Sequence, residues 1–203
     1  MDTGTMIFFT ATVLPLICTP GPDMLFVASQ ALSGGASAGL RSTAGVCLGY
    51  VVHSALAALG VAAIIAASPM LFEALRWLGV AYMIYLAFQL MRSAMKAGQL
   101  TLSAVSANRQ LRRGFLTAFL NPKGMMIYFA VLPQFMQHGG SIPLQVLILS
   151  AIFIALCGTV YMSLSLGIAA VGRNGGFSDC RRRWVEGTAG AFLIVAAGRL
   201  AAI

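Results

Sequence analysis

Two apolar stretches of this chain are each long enough to cross a bilayer, and each is broken near its middle by proline. The first covers about 6–31 and is interrupted at Thr19-Pro20-Gly21-Pro22-Asp23. The second covers about 114–136 and is interrupted at Asn121-Pro122-Lys123-Gly124. Proline removes a backbone donor and clashes with the preceding turn, so neither stretch can be one continuous helix. The breaks align, Thr-Pro-x-x-x-Met-Leu-Phe (Thr19 to Phe26) against Asn-Pro-x-x-x-Met-Ile-Tyr (Asn121 to Tyr128), about half the chain apart. Interrupted apolar segments at matching places in two halves point to a transporter binding site.

Composition sets the solvent. The chain has 203 residues, 59% hydrophobic and 9% charged, with mean hydropathy +0.88. A soluble domain carries about 25% charged residues, so this is an all-α integral membrane protein. No Lys or Arg precedes the first apolar run, so it is read as a retained span, not a signal peptide. The net charge of +8 would suggest nucleic acid in a soluble protein. Here the basic residues fall in loops between spans and form no nucleic-acid motif, so no such partner is expected. Cys18, Cys47, Cys157 and Cys180 form no C-x-x-C pair, and no disulfide or metal cluster is implied.

A spanning helix needs about 20 apolar residues. Six fit, at about 6–31, 42–67, 70–91, 114–136, 143–171 and 184–202. They form one transmembrane transporter domain over 1–203: a first repeat at about 1–91, a polar, basic, mobile cytoplasmic loop at about 92–113, and a second repeat at about 114–203. Three spans per half invert the second repeat against the first, a 3+3 inverted repeat with broken helices one and four. Arg41, then Arg92, Lys96, Arg109, Arg112 and Arg113, then Arg173, Arg181, Arg182 and Arg183 share one side. The positive-inside rule makes that side cytoplasmic and puts both termini outside. If the first segment is re-entrant, the count is five and the N-terminus is cytoplasmic.

The breaks concentrate the candidate chemistry: Thr19, Pro20, Gly21, Pro22 and Asp23 in the first, Asn121, Pro122 and Lys123 in the second. A half-helix starting at such a break points unpaired N–H groups and positive dipole at it, which suits a carboxylate. The bland alternative is a proline kink in an ordinary bundle helix, and two aligned kinks favour function. A central Asp costs roughly 2.5–3.5 kcal/mol on insertion scales, so Asp23 reads as a proton-coupling carboxylate or a ligand for a substrate ammonium. It also reads as a helix cap. Lys123 is expected to pair with Asp23 or to meet a substrate carboxylate. Tyr82, Tyr85 and Gln89 share one helix face, lining the pathway or bonding a neighbouring helix. His53 reads as a proton carrier or a helix-to-helix hydrogen bond. Gly45-x-x-x-Gly49 permits close contact within the bundle, the favoured reading, or between subunits of a homodimer. No P-loop, HExxH or GxSxG is present, so ATP-driven transport and these hydrolase classes gain no support.

Further blocks complete a pattern: Leu32-Ser-Gly-Gly with Ala38-Gly-Leu, Gly45-Val-Cys-Leu-Gly with His53, Trp77-Leu-Gly-Val-Ala-Tyr-Met-Ile-Tyr-Leu, Arg113-Gly-Phe-Leu, Leu132-Pro-Gln-Phe and Arg199-Leu. With the two breaks they resemble the lysine-exporter/threonine-homoserine-efflux family over nearly the whole chain. The resemblance implies a bacterial inner-membrane exporter of amino acids, driven by the proton gradient, with about six helices and no soluble cofactor. The family's signature positions map to Pro20, Gly21, Pro22, Asp23, Asn121, Pro122 and Lys123. The family often carries Asn where this chain has Asp23. One acid and one base at the centre suit a neutral zwitterion of the threonine, homoserine or leucine class, with protons and the lipid bilayer as the other partners. A metal-cation exporter would want clustered Asp, Glu, His or Cys, and no metal site is expected. A membrane thiol oxidoreductase would need a partner for Cys18, and the aligned position is Leu120.

Overall fold

A computed structural model describes residues 1–59, 107–137 and 141–175 continuously, with isolated helical positions between 70 and 95 and between 183 and 198. All regular structure among the described residues is helical. In chain order the elements are α1 (Thr3–Cys18), α2 (Pro22–Ala58), α3 (Ala107–Phe119) and α4 (Pro122–Met126). A π turn (Ile127–Val131), a 3-10 turn (Leu132–Phe135) and α5 (Ile142–Gly175) follow.

The prolines end α1 as their chemistry requires. The Leu16 and Cys18 carbonyls would need donors from positions 20 and 22, and both are proline. The Thr19 N–H and hydroxyl both fold back onto the Pro15 carbonyl, at 3.0 and 2.9 Å. The chain restarts as α2 with Pro22 in the first turn, where a missing N–H costs nothing. Across this break the helices bend by 56°.

Within α2 a single residue leaves helical geometry, Gly35 at φ 72°, ψ −171°. The chain doubles back there, bringing Gly39 against Ala31. This region is essentially reserved for glycine, and a side chain there costs on the order of 1–3 kcal/mol. Gly35→Ala is therefore expected to lower stability by about that amount, read as the thermal midpoint of the detergent-purified protein. An unchanged midpoint would show that the turn can relax.

Two expectations about connections are corrected. A loop was expected over about 32–41, with Arg41 in it. Instead the first arm of α2 runs on through Leu32, Ser33 and Gly34, and Arg41 lies in the second arm. The small residues around Gly35 let the arms approach without a longer connection. Likewise the mobile basic loop at about 92–113 is in part helix, because α3 begins at Ala107. Its Gln110 and Gly114 are buried while Arg109 and Arg112 face outward, an amphipathic pattern that packing rewards. α5 outruns the expected 143–171 by a few residues at its C-terminal end.

The described helices run between two faces. Gln110 Nε2 lies beside Gly34, so Arg109, Arg112 and Arg113 gather near the Gly35 turn with Arg41. At the other face Asp2 caps α1, its Oδ1 accepting from Thr5 N at 2.6 Å. Gln137 Nε2 donates to Asp2 Oδ2 at 2.8 Å and to Thr5 Oγ1 at 2.9 Å. The hydrogen bonds from Thr5 and then Gln137 hold the Asp2 carboxyl below the usual carboxylate range. The Gln145 carboxamide takes the Gln137 N–H at 2.7 Å and returns a bond to its carbonyl at 3.0 Å, fixing the start of α5.

Burial differs between these faces. From the Asp2 face to the breaks the interior is mainly apolar, with Phe9, Val13, Ile17, Leu132, Val146 and Leu149 around buried Gln145 and Ser150 of α5. From the breaks to the Gly35 face it includes buried Ser29, Ser42, Thr43, Gln110 and Thr117. The Gly45-x-x-x-Gly49 face of α2 is spent on α3, since a Cβ on Gly45 would sit 2.2 Å from the Leu111 carbonyl oxygen.

Among the described residues, Ile142–Val171 is long and apolar enough to cross a membrane alone, and the bent α1–α2 pair fits either a broken span or a re-entrant segment. The expected spans at about 70–91 and 184–202 lie largely outside the described residues.

Candidate functional site

The two breaks face each other at the centre of the described helices. Asp23 sits in the first turn of α2 and is 2% exposed. Its carboxylate accepts from the Tyr50 hydroxyl through Oδ2 and from Asn121 Nδ2 through Oδ1. Tyr50 comes from the second arm of α2 and Asn121 from the second break. Three segments far apart in sequence thus converge on one buried carboxylate.

Asn121 is oriented by its own backbone. It is the N-cap of α4, and its Oδ1 accepts the Lys123 N–H at 3.0 Å. With the oxygen so engaged, the amide nitrogen must face the other way, toward Asp23. Lys123 then reaches back to the first break, where Nζ donates to the Thr19 carbonyl at 2.7 Å. Its stem passes over Gly21, where a Cβ would lie 3.3 Å from Cδ. The ammonium therefore caps the stranded C-terminal end of α1, where helix dipole and free carbonyl both favour a cation.

The expected Asp23–Lys123 ion pair is thus replaced by an indirect arrangement. Acid and base occupy one centre, yet the hydrogen bonds of Asp23 go to Tyr50 and Asn121, and that of Lys123 goes to a backbone carbonyl. Nor is Asp23 the cap of α2: that position is Gly21, which makes no side-chain cap bond.

Aromatic packing surrounds the centre. The Tyr50 ring meets Phe153 edge-on at 4.9 Å between centroids. Gly124 leaves room for it, since a Cβ there would approach Tyr50 Cε1 to 2.6 Å. Tyr128 donates to the Tyr50 carbonyl at 3.1 Å. His53, one turn beyond Tyr50, stacks on Phe119 at 5.3 Å and on Tyr128 at 5.6 Å. Its Nε2 meets the Phe119 carbonyl at 3.1 Å.

Of the residues singled out from sequence, Thr19, Gly21, Asp23, Asn121 and Lys123 come together directly. Pro20, Pro22 and Pro122 act through the breaks they create. His53 lies beside the second break and bonds its backbone, not Asp23. Tyr85 is 47% exposed, and Tyr82 and Gln89 lie outside the described residues. Cys18 ends α1 and is exposed, while Cys157 is buried. Tyr50 was missed. Its one sequence signal is a phenol one turn before His53 in an apolar span, where a hydroxyl needs a partner.

Comparison with known sequences finds relatives of this chain. A family model described as LysE type translocator matches residues 14–202. An uncharacterized membrane protein of Pseudomonas aeruginosa is 32% identical over 157 residues, 74% of this chain and 73% of that protein. A leucine efflux protein of Klebsiella pneumoniae is 30% identical over 150 residues, covering 73% and 71%. A membrane protein of Bacillus subtilis is 30% identical over 151 residues, covering 70% and 72%. No solved structure matches the chain.

Proposed function

The chain belongs to the LysE type translocator family, and on that premise we propose that it exports a neutral amino acid or close derivative, in exchange for protons, across the bacterial inner membrane. The observation that carries the proposal is the meeting of buried Asp23 and half-buried Lys123 at the facing breaks without a direct bond between them. A zwitterion brings one ammonium and one carboxylate, and inside a membrane-spanning region each needs an opposite charge or an oriented dipole. Asp23 offers itself to the ammonium once Tyr50 or Asn121 yields. Lys123 offers itself to the carboxylate once it leaves the Thr19 carbonyl, with the uncapped first turn of α2 beside it. Relatives named leucine efflux protein support the substrate class.

Coupling follows from competition at Asp23. A proton arriving on the carboxylate removes the charge that holds the substrate ammonium, so proton binding and substrate release go together. The buried polar residues toward the Gly35 face supply an approach, and the basic residues there make that face cytoplasmic by the positive-inside rule. The full architecture in this reading is six crossings as a 3+3 inverted repeat, with helices one and four broken. The Gly45-x-x-x-Gly49 face serves packing inside the chain.

The test is efflux of preloaded labelled leucine, threonine and homoserine from proteoliposomes under an imposed pH gradient. Wild type is expected to move at least one of them faster with the gradient than without. Asp23→Asn keeps the shape of the carboxylate and its place between Tyr50 and Asn121. It is expected to retain gradient-free exchange at a reduced rate and to lose the acceleration. Failure of every amino acid to move would sink the substrate reading. Full gradient response in Asp23→Asn would place the proton site elsewhere.

A further inference from the structure

The second break leaves a carbonyl that its own helix cannot satisfy. In a continuous helix the Phe119 carbonyl would take the Lys123 N–H, four residues on. That N–H goes instead to Asn121 Oδ1. The neighbouring Ala118 carbonyl, facing Pro122, is met by the Asn121 N–H at 3.1 Å. This leaves the Phe119 carbonyl for His53, whose Nε2 is 3.1 Å away. A carbonyl only accepts, so Nε2 carries the hydrogen. Stacking on Phe119 and Tyr128 holds the ring in this plane, and His53 is only 6% exposed.

We propose that His53 is a positioning residue that anchors the second break: by donating Nε2–H to the Phe119 carbonyl, which the break at Pro122 strands, it holds that break against the second arm of α2 and so keeps the Asn121 amide on Asp23. Without that donor the Phe119 carbonyl has no partner, and the second break loses its tie to α2. Asn121 then shifts with the break relative to the first one, and Asp23 loses an oriented partner. His53 acts through the backbone, and transport makes no use of it as a proton carrier. The inference rests on the central site proposed above.

The functional test compares His53→Gln with His53→Leu in the same proteoliposomes. The Gln amide nitrogen can stand where Nε2 stands, but Gln cannot carry a proton. His53→Gln is expected to stay within about threefold of wild type in half-saturation concentration and to keep its full response to the pH gradient. His53→Leu leaves a buried carbonyl unmet, and its half-saturation concentration is expected to rise by about tenfold. Loss of the gradient response in His53→Gln, with gradient-free exchange preserved, would overturn the proposal and make His53 a proton carrier. Equal behaviour of the two variants would overturn it as well.

A second readout needs no substrate. The chain has two histidines, His53 and His138, so 15N-histidine labelling of a His138→Gln protein reports His53 alone. The expected spectrum is that of the Nε2–H tautomer, and an Nδ1–H tautomer would refute the assignment. If wild type moves no amino acid, the function proposed above fails while this spectrum still decides the role of His53. If His53→Leu does not fold, His53→Gln and the spectrum decide it together.

Discussion

Lys123→Met is expected to lower transport by about two orders of magnitude, the scale of removing one hydrogen-bonded charge from a recognition site. Methionine keeps the length and apolar stem that pack over Gly21 and discards only the ammonium. Two things go with it. The Thr19 carbonyl loses the donor at 2.7 Å, and Asp23 loses its neighbouring cation. Lys123→Arg separates these effects, since it restores charge with a larger planar head that must fit over Gly21. It is expected to recover part of the rate but not all. Purified variants are compared by gradient-free exchange first, so that proton coupling does not enter. Exchange by Lys123→Met within about threefold of wild type would remove Lys123 from the site.

The contrast between Lys123 and Tyr50 shows what could be read from sequence alone. Proline chemistry is local, so Pro20, Pro22 and Pro122 disclosed where α1 and α3 must stop, and the aligned breaks disclosed that two such stops belong together. Ionisable residues in apolar stretches are also conspicuous, which brought out Asp23 and Lys123. Their partners were not conspicuous. Lys123 bonds a backbone carbonyl, and a carbonyl leaves no mark in a sequence. Tyr50 meets Asp23 only because α2 doubles back at Gly35, and a one-residue turn inside a run of small residues looks like a longer loop. The start of α3 was hidden for a related reason. Its first two turns are basic and polar, and only packing against α2 makes them helix. His53 drew notice as a titratable group, but its neighbours make it a donor to backbone.

Gly45→Ala is expected to be among the most damaging small changes in the described residues. A Cβ at this position would stand 2.2 Å from the Leu111 carbonyl oxygen and 2.9 Å from the Phe115 nitrogen. Both are backbone atoms of α3, so no side chain can swing aside and the helices must separate. Overpacking a side-chain core typically costs about 1–3 kcal/mol, and a backbone clash belongs at or above the top of that range. Gly167→Ala is the matched control. It lies in α5 with nothing within 4 Å of its added methyl, and helix propensity alone favours alanine there by up to about 1 kcal/mol. Thermal midpoints of the detergent-purified proteins should therefore move in opposite directions. A Gly45→Ala midpoint equal to wild type would mean that α2 and α3 approach less closely than this. The damage should also reach function. Tyr50 and His53 lie within about two turns of Gly45 on the same arm of α2, and they hold Asp23 and the Phe119 carbonyl. Pushing that arm away from α3 draws His53 off the second break while Tyr50 stays with the first, so the protein that still folds should exchange substrate poorly.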